Sequence, residues 1–167
     1  MAQIHAATLE ALETVGFSGV ADTAAAYRTK AGAEFRDGRL YFPPTLVEAT
    51  IRSANRDFKL YGRDPKHDLH PIGHKVHFGT AGAAVHVVEV ETNPYRDSTV
   101  MDLYNAARIT DLQDNVHFFQ RPMVARDMKT PLDLDLSTLY AGLTGTNKHI
   151  GTSVTVPENA APFLEVL

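Results

Sequence analysis

The densest group of potential metal ligands is a run of four histidines, His67, His70, His74 and His77. Imidazole nitrogens are common zinc ligands, and this spacing on one continuous helix would bring several of them to one face. Pro71 and Gly73 lie inside the run and break such a helix. We therefore interpret the four as solvated loop histidines and expect no metal site. A zinc-dependent lyase or hydrolase is the alternative that would use them.

A second group, Gly79 to Ala83, is rich in small residues and could approach a phosphate closely. It lacks the G-x-G-x-x-G register and the Walker lysine, and a β-branched run follows it rather than a helix. The sequence therefore argues against a nucleotide loop, and two interpretations remain open: a structural bend, or a close approach of the backbone to a ligand or a neighbouring strand. Gly-x-Ser-x-Gly is also absent, so we assign no catalytic residue.

Polar residues follow the segments that we predict to be parallel strands. The carboxyl ends of such strands carry the ligand chemistry of parallel α/β folds, because the loops there are free to vary. The candidate substrate-binding residues are Thr80, Gln120, Arg121, Ser153 and Thr155. An ion pair between Arg121 and a neighbouring aspartate is the structural alternative. We interpret three other carboxylates as helix-start and surface groups: Asp127, Asp133 and Asp135.

The elements that must position these residues alternate regularly in the second half of the chain. Predicted strands cover residues 74–78, 116–119 and 148–154, and helical patterns begin at Thr99, at Asp133 and at Pro157. An extended run at 85–90 lies between the first strand and the first helix. This rhythm favours repeated βα units and a parallel sheet. An open doubly wound sheet and a (β/α)8 barrel both fit it.

Residues 1–72 have a different texture and predict a small α+β segment, which leaves 73–167 as the βα part. A helix from Ile4 to Val15 is expected to end at Gly16, and Asp37-Gly38 is a strong hairpin signal. Pro43-Pro44 is expected to open a further helix, and residues 58–61 alternate like a strand.

Composition excludes several classes of protein. The 167 residues are 44% hydrophobic and 22% charged, with a formal net charge of −4 and no cysteine. The acidic balance argues against nucleic-acid binding, and the lack of thiols removes disulfides, thiolate zinc sites and Fe–S clusters from this segment. No apolar run suits a membrane span, and no signal peptide is evident at the start. We expect a cytoplasmic globular protein.

Five stretches, in order along the chain, resemble the trimethylamine methyltransferase family of corrinoid-dependent methylamine and betaine methyltransferases. They are RLYFPPTLVEA at 39–49, FKLYGRDP at 58–65, HFGTAG at 77–82, NVHFFQRP at 115–122 and TNKHIG at 146–151. The resemblance implies a (β/α)8 TIM barrel preceded by an N-terminal segment. Family members run to nearly three times this length, so the chain would hold the N-terminal portion with about three βα units.

The resemblance also implies a reaction. A methyl group passes from a methylated or quaternary amine, such as trimethylamine or glycine betaine, to the cobalt of a separate corrinoid protein docked at the barrel mouth. No cofactor would be bound directly, and the full-length parent could be a homo-oligomer. Some members carry pyrrolysine, at a position that would lie beyond Leu167. A non-catalytic remnant or binding module of the same fold is the rival hypothesis.

Overall fold

The computed structural model describes residues 1–167, which form two compact units, Met1–Arg56 and Asp57–Leu167. The chain is a mixed α/β arrangement of six α-helices and three small sheets. The helices are α1 Ala2–Thr14, α2 Asp22–Lys30, α3 Pro44–Ser53, α4 Val100–Asp111, α5 Pro131–Gly145 and α6 Ala160–Leu164. The strands are β1 Phe17–Ser18, β2 Glu34–Arg36, β3 Arg39–Tyr41, β4 His86–Val88, β5 Tyr95–Asp97, β6 Phe118–Gln120 and β7 His149–Gly151. Short 3-10 turns cover Pro65–His67 and Pro157–Asn159.

The N-terminal unit is built around an antiparallel sheet of order β1-β3-β2. Its hairpin turns at Asp37 and Gly38, which both have positive φ, as the Asp-Gly signal predicts. Gly16 ends α1 at φ +62°, and a Cβ there would lie 2.5 Å from the carbonyl oxygen of Leu40. Helix α3 starts at Pro44, within the expected proline pair. Helices α1 and α3 and the hairpin turn of this unit were therefore predictable from local signals.

The C-terminal unit contains the parallel pairing. Strand β6 lies in the middle, because β7 pairs with it in parallel on one side and Gly79 forms a parallel bridge to Phe118 on the other. The strand expected at 74–78 is therefore wrong in position: the pairing falls at Gly79, and a second parallel bridge joins Ala84 to Met123. The strand expected at 58–61 is reduced to one bridge between Leu60 and Leu69.

Two capping boxes define the helices that cover this sheet. Thr99 and Asp102 start α4, and Thr130 and Asp133 start α5, with each threonine hydroxyl accepting from the backbone N–H of its aspartate. The two helices pack on one another and on β6 around a buried core of four residues, Leu103, Ala107, Phe119 and Ala141. The helix start predicted at Thr99 is confirmed.

Where α4 and α5 approach each other, Gly145 leaves no room for a side chain. A Cβ at this position would lie 2.6 Å from the Cβ of Ala107 and 3.1 Å from the carbonyl oxygen of Tyr104. The glycine is thus needed for the close approach of two helices rather than for its backbone conformation.

A β-hairpin of strands β4 and β5 separates the first parallel segment from α4. The sequence predicts an extended run at 85–90 but not its partner, β5. Arg96 on β5 joins the hairpin to α4, since its guanidinium donates to both carboxylate oxygens of Asp102 at 2.6 and 2.7 Å and also to Glu89. These contacts hold the pKa of Asp102 well below its usual range.

Lys148 is the most fully enclosed cation of the unit, with a relative exposure of 3%. Its ammonium group donates to three backbone carbonyl oxygens, those of Thr110 at 2.6 Å, Gln113 at 2.6 Å and Val116 at 2.7 Å. The three donors of the group are matched by three acceptors, so the buried charge is fully hydrogen-bonded. Lys148 thus connects the end of α4 to the starts of β6 and β7.

None of the helices has the length and apolar character that a bilayer span requires.

Candidate functional site

The candidate site lies where the parallel segments end. Phe119 of β6 and Ile150 of β7 pack against α4 and α5, so the alternating side chains of Phe118, Gln120 and His149 fall on the opposite face of the sheet. One face of the parallel sheet is therefore covered by helices. The other face presents Phe118 and Gln120 without a covering helix of its own.

Thr80 and Gln120 are brought together directly. The hydroxyl of Thr80 donates to the carbonyl oxygen of Gln120 at 2.6 Å and accepts from the backbone N–H of the same residue at 3.0 Å. The side chain thus closes the gap between two parallel segments in place of a backbone pair. These two hydrogen bonds occupy the hydroxyl of Thr80. The side-chain amide of Gln120 forms no hydrogen bond and is exposed.

Arg121 follows Gln120 at the end of β6 and is tied to β7 through its backbone, whose N–H donates to the carbonyl oxygen of Gly151 at 3.1 Å. Its guanidinium forms no hydrogen bond and has no carboxylate within 4.0 Å. The ion pair with a neighbouring aspartate, considered as the structural alternative, is not formed. Arg121 is half-buried, so a cation with unused donors lies at the end of the sheet.

Asp135 corrects one interpretation from the sequence, because it is not a surface carboxylate: its relative exposure is 1%. It accepts from the backbone N–H of Thr155 at 2.9 Å, from the hydroxyl of Thr155, and from the side-chain amide of Asn159 at 2.7 Å. Burial raises the pKa of Asp135, but these hydrogen bonds and the charge of Arg121 outweigh it, so the pKa lies below its ordinary value.

The hydrogen bonds of Asp135 fix the loop that follows β7. Thr155 turns its hydroxyl to Asp135, whereas Ser153 is exposed and its hydroxyl makes no hydrogen bond. Sequence reasoning selected Thr155 and Ser153 but missed Asp135, which holds Thr155, and Asn159, which donates to Asp135. No local signal marks them, because the partners lie 20 and 24 positions from Asp135 along the chain.

Of the five residues selected from the sequence, Thr80 and Gln120 contact each other and Arg121 bonds to β7 through its backbone, but the side chains of the five differ in what they can offer. The hydroxyls of Thr80 and Thr155 are engaged within the protein. Arg121, Gln120 and Ser153 keep free polar atoms. A substrate-binding role for any of the five stays a prediction.

The four histidines of the 67–77 run do not meet at one point. His70 contacts Asp57 at 2.6 Å, whereas His77 lies edge-on to His117, with ring centroids 5.4 Å apart. No three His, Asp or Glu side chains converge in a geometry that could hold a metal ion.

Comparison with known proteins identifies the family. The family model described as trimethylamine methyltransferase (MTTB) matches residues 1–167. The chain is 30% identical over 166 residues to the trimethylamine methyltransferase MttB of Desulfitobacterium hafniense, covering 98% of this chain and 33% of that protein. It is 28% identical to MttB1 of Methanosarcina mazei, with 98% and 34% covered, and 24% identical to a glycine betaine methyltransferase of D. hafniense, again with 98% and 34% covered.

The chain therefore spans about a third of the length of the curated relatives it matches. The match runs through both compact units and includes the strand ends at Gln120 and Gly151. The chain belongs to the trimethylamine methyltransferase family.

Proposed function

We propose that this chain is the N-terminal portion of a corrinoid-dependent methyltransferase that moves a methyl group from a methylated or quaternary amine to the cobalt of a separate corrinoid protein. The observation that carries the proposal is the family match over all 167 residues, with relatives named for trimethylamine and for glycine betaine. The corrinoid belongs to the partner protein, so no residue of this chain is assigned to hold it.

The parallel segments support a (β/α)8 barrel as the fold of the whole protein. Gly79, β6 and β7 lie side by side in chain order, and α4 and α5 cover one face only. In a closed barrel the other face, with Phe118 and Gln120, would point into the interior. We place about three βα units in residues 73–167, preceded by an α+β segment in 1–72.

The role of this part of the protein is to bind and orient the amine. The corrinoid of the partner protein would supply the nucleophile for the methyl carbon. The protein has to position the onium group in line with the attack and keep water out. A quaternary ammonium has no hydrogen-bond donor, so its recognition needs aromatic faces or a carboxylate.

We assign Arg121 to the anionic end of the substrate. A guanidinium repels an onium group but pairs well with a carboxylate such as that of a betaine, often through two hydrogen bonds. Arg121 has these donors free at the end of β6. Of the two adjacent aromatics, Phe119 is buried in the core, so an aromatic cage would come from other strands of the barrel.

Methyl transfer in the protein that carries this chain tests the assignment. The assay follows the visible spectrum of a Co(I) corrinoid protein with trimethylamine and with glycine betaine as methyl donors. We expect Arg121→Ala to raise the KM for glycine betaine roughly tenfold or more and to leave that for trimethylamine within about twofold. Arg126→Ala, which removes an exposed arginine of the same unit, is the matched control.

The outcomes separate the two parts of the proposal. If the unmodified protein transfers methyl groups from neither amine, the proposed function is wrong. If Arg121→Ala weakens both substrates equally, Arg121 is not part of the site, while the function itself stands.

A further inference from the structure

A polar cleft of about 250 Å³ lies in the C-terminal unit where α4 and α5 end. Its lining includes Arg63, Tyr104, Arg108, Asp111 and Asn147. The helices of βα units run antiparallel to their strands, so this end is remote from the carboxyl ends of β6 and β7. The cleft is therefore separate from the proposed substrate site.

Two arginines share this cleft without a counterion. Neither Arg63 nor Arg108 has a carboxylate within 4.0 Å. Arg63 donates to the carbonyl oxygen of Leu143, and Arg108 lies over the ring of Tyr104 at 5.7 Å without a hydrogen bond. A guanidinium carries five N–H donors, so most of the donors of both residues are unused.

The one carboxylate in the lining is already engaged. An oxygen of Asp111 accepts from the hydroxyl of Thr146 at 2.8 Å and from the backbone N–H of Asn147 at 2.7 Å. Burial raises the pKa of Asp111, but these hydrogen bonds and the nearby charge of Lys148 hold it below its ordinary value. In the lining of the cleft two guanidinium groups therefore face one carboxylate.

The negative ends of α4 and α5 also lie at this end of the unit, and each of them is already offset by a cation. Arg63 meets Leu143 in the last turn of α5, and Lys148 meets Thr110 in the last turn of α4. Two groups in the cleft still have no acceptor within the protein. They are the guanidinium of Arg108 and the side-chain amide of Asn147.

We propose that this cleft binds a phosphate dianion, either inorganic phosphate or the phosphate of a small phosphomonoester, with Arg63, Arg108 and the amide of Asn147 as donors. Guanidinium groups suit phosphate because their paired N–H groups match two of its oxygens. The volume of the cleft also leaves room for a small organic group attached to the phosphate.

Titration of the protein that carries this chain with inorganic phosphate and with glycerol phosphate, in low-chloride buffer, tests the proposal. Isothermal calorimetry measures the binding, and thermal unfolding shows that each variant is folded. We expect saturable binding that Arg108→Gln weakens about tenfold or more, since a charge-assisted pair is lost. Arg108 makes no hydrogen bond in the fold, so its replacement should leave the unfolding midpoint unchanged.

Two further variants control the result. Arg28→Gln is the matched control, because Arg28 is exposed and likewise lies 5.7 Å from a tyrosine ring, that of Tyr27, but belongs to the other unit. It should not change the affinity. Asp111→Asn removes a negative charge and keeps an oxygen that can accept both hydrogen bonds, so it should strengthen binding a few-fold.

The measured affinities decide whether the cleft binds phosphate and in which form. Binding weaker than about 10 mM, or equal losses in Arg108→Gln and Arg28→Gln, would overturn the proposal. Tighter binding of glycerol phosphate than of inorganic phosphate would identify a phosphomonoester as the ligand, and the reverse order would identify the free ion. Binding of either ligand supports the proposed phosphate site.

Discussion

The two compact units differ in how polar groups contribute to their interiors. In Met1–Arg56 the buried residues are Ala25, Ala33 and Leu40, and all are apolar. In Asp57–Leu167 a larger apolar core is accompanied by buried polar residues that bond across the unit, among them Lys148 and Asp135. Local turn and helix signals therefore account for the structure of the first unit. The second unit also depends on long-range hydrogen bonds to buried charges.

Removing Phe119, the largest fully buried side chain, should have the largest effect on stability and should exceed the effect of a core substitution in the first unit. Phe119→Ala leaves a cavity between β6, α4 and α5, and we expect it to cost about 3–5 kcal/mol of unfolding free energy. Leu40→Ala in the first unit should cost less, about 2 kcal/mol, because exposed residues flank it on the sheet and can close over the gap.

Urea unfolding, with hydrogen exchange to locate the change, measures both costs. Ile109→Ala, at a position of α4 that is 61% exposed, serves as the control and should be nearly neutral. Equal losses for Phe119→Ala and Leu40→Ala would remove the contrast between the two units.

Lys148→Met tests the buried cation. The substitution fills similar space but leaves three carbonyl oxygens, those of Thr110, Gln113 and Val116, without their donor. We expect a loss of about 3 kcal/mol and faster amide exchange at the end of α4. Lys129→Met, at an exposed lysine of the same unit, should change the unfolding free energy by less than about 0.5 kcal/mol. A neutral Lys148→Met would show that these hydrogen bonds contribute nothing net.

Acid should weaken the second unit through Asp135. Its folded pKa lies below the ordinary value, so its contribution is complete above the unfolded pKa near 4 and is lost as the pH falls below that. Asp135→Asn should cost about 2 kcal/mol at pH 7 and flatten the loss of stability between about pH 5 and pH 3. Thermal unfolding measured across this range checks the slope. An unchanged slope in the variant would contradict the assignment.

The smallest effect is expected at the surface of the first unit. His5 and Glu48 form a pair at 2.6 Å, but both side chains are more than a third exposed. The hydrogen bond from His5 lowers the pKa of Glu48, yet solvent and salt screen such pairs. His5→Ala should leave the unfolding midpoint unchanged within error in calorimetry. A clear drop would mean that polar contacts matter in this unit too.

The sequence predicted what local chemistry determines. Asp37-Gly38 requires a tight turn in any context, and Thr99 with Asp102 forms a capping box within four residues. Prediction failed where the partner is distant in sequence: Asp135 meets a loop that begins about twenty residues later along the chain. An aspartate near a helix start is usually a surface group. Only the fold shows which one becomes buried.

The first parallel strand was misplaced for a similar reason. Residues 74–78 alternate like a strand, but alternation does not decide where the chain meets its neighbour. The pairing falls at Gly79, where the missing side chain lets the ring of Phe118 pass within 2.3 Å of the position of a Cβ. The candidate residues were selected because the strand ends follow from the βα rhythm, not because their contacts could be foreseen.

The order of the parallel segments has a consequence for how the unit is made. Gly79, β6 and β7 are neighbours in space in the order in which a ribosome produces them. Each new strand needs only the strand before it. The connecting segments of about thirty to forty residues contain helices, and closing segments of this length costs little more entropy than closing shorter ones. The sheet can therefore grow from one edge during synthesis, with β6 buried only once β7 has emerged. Until then β6 is the exposed edge that a nascent chain must keep from pairing with other chains.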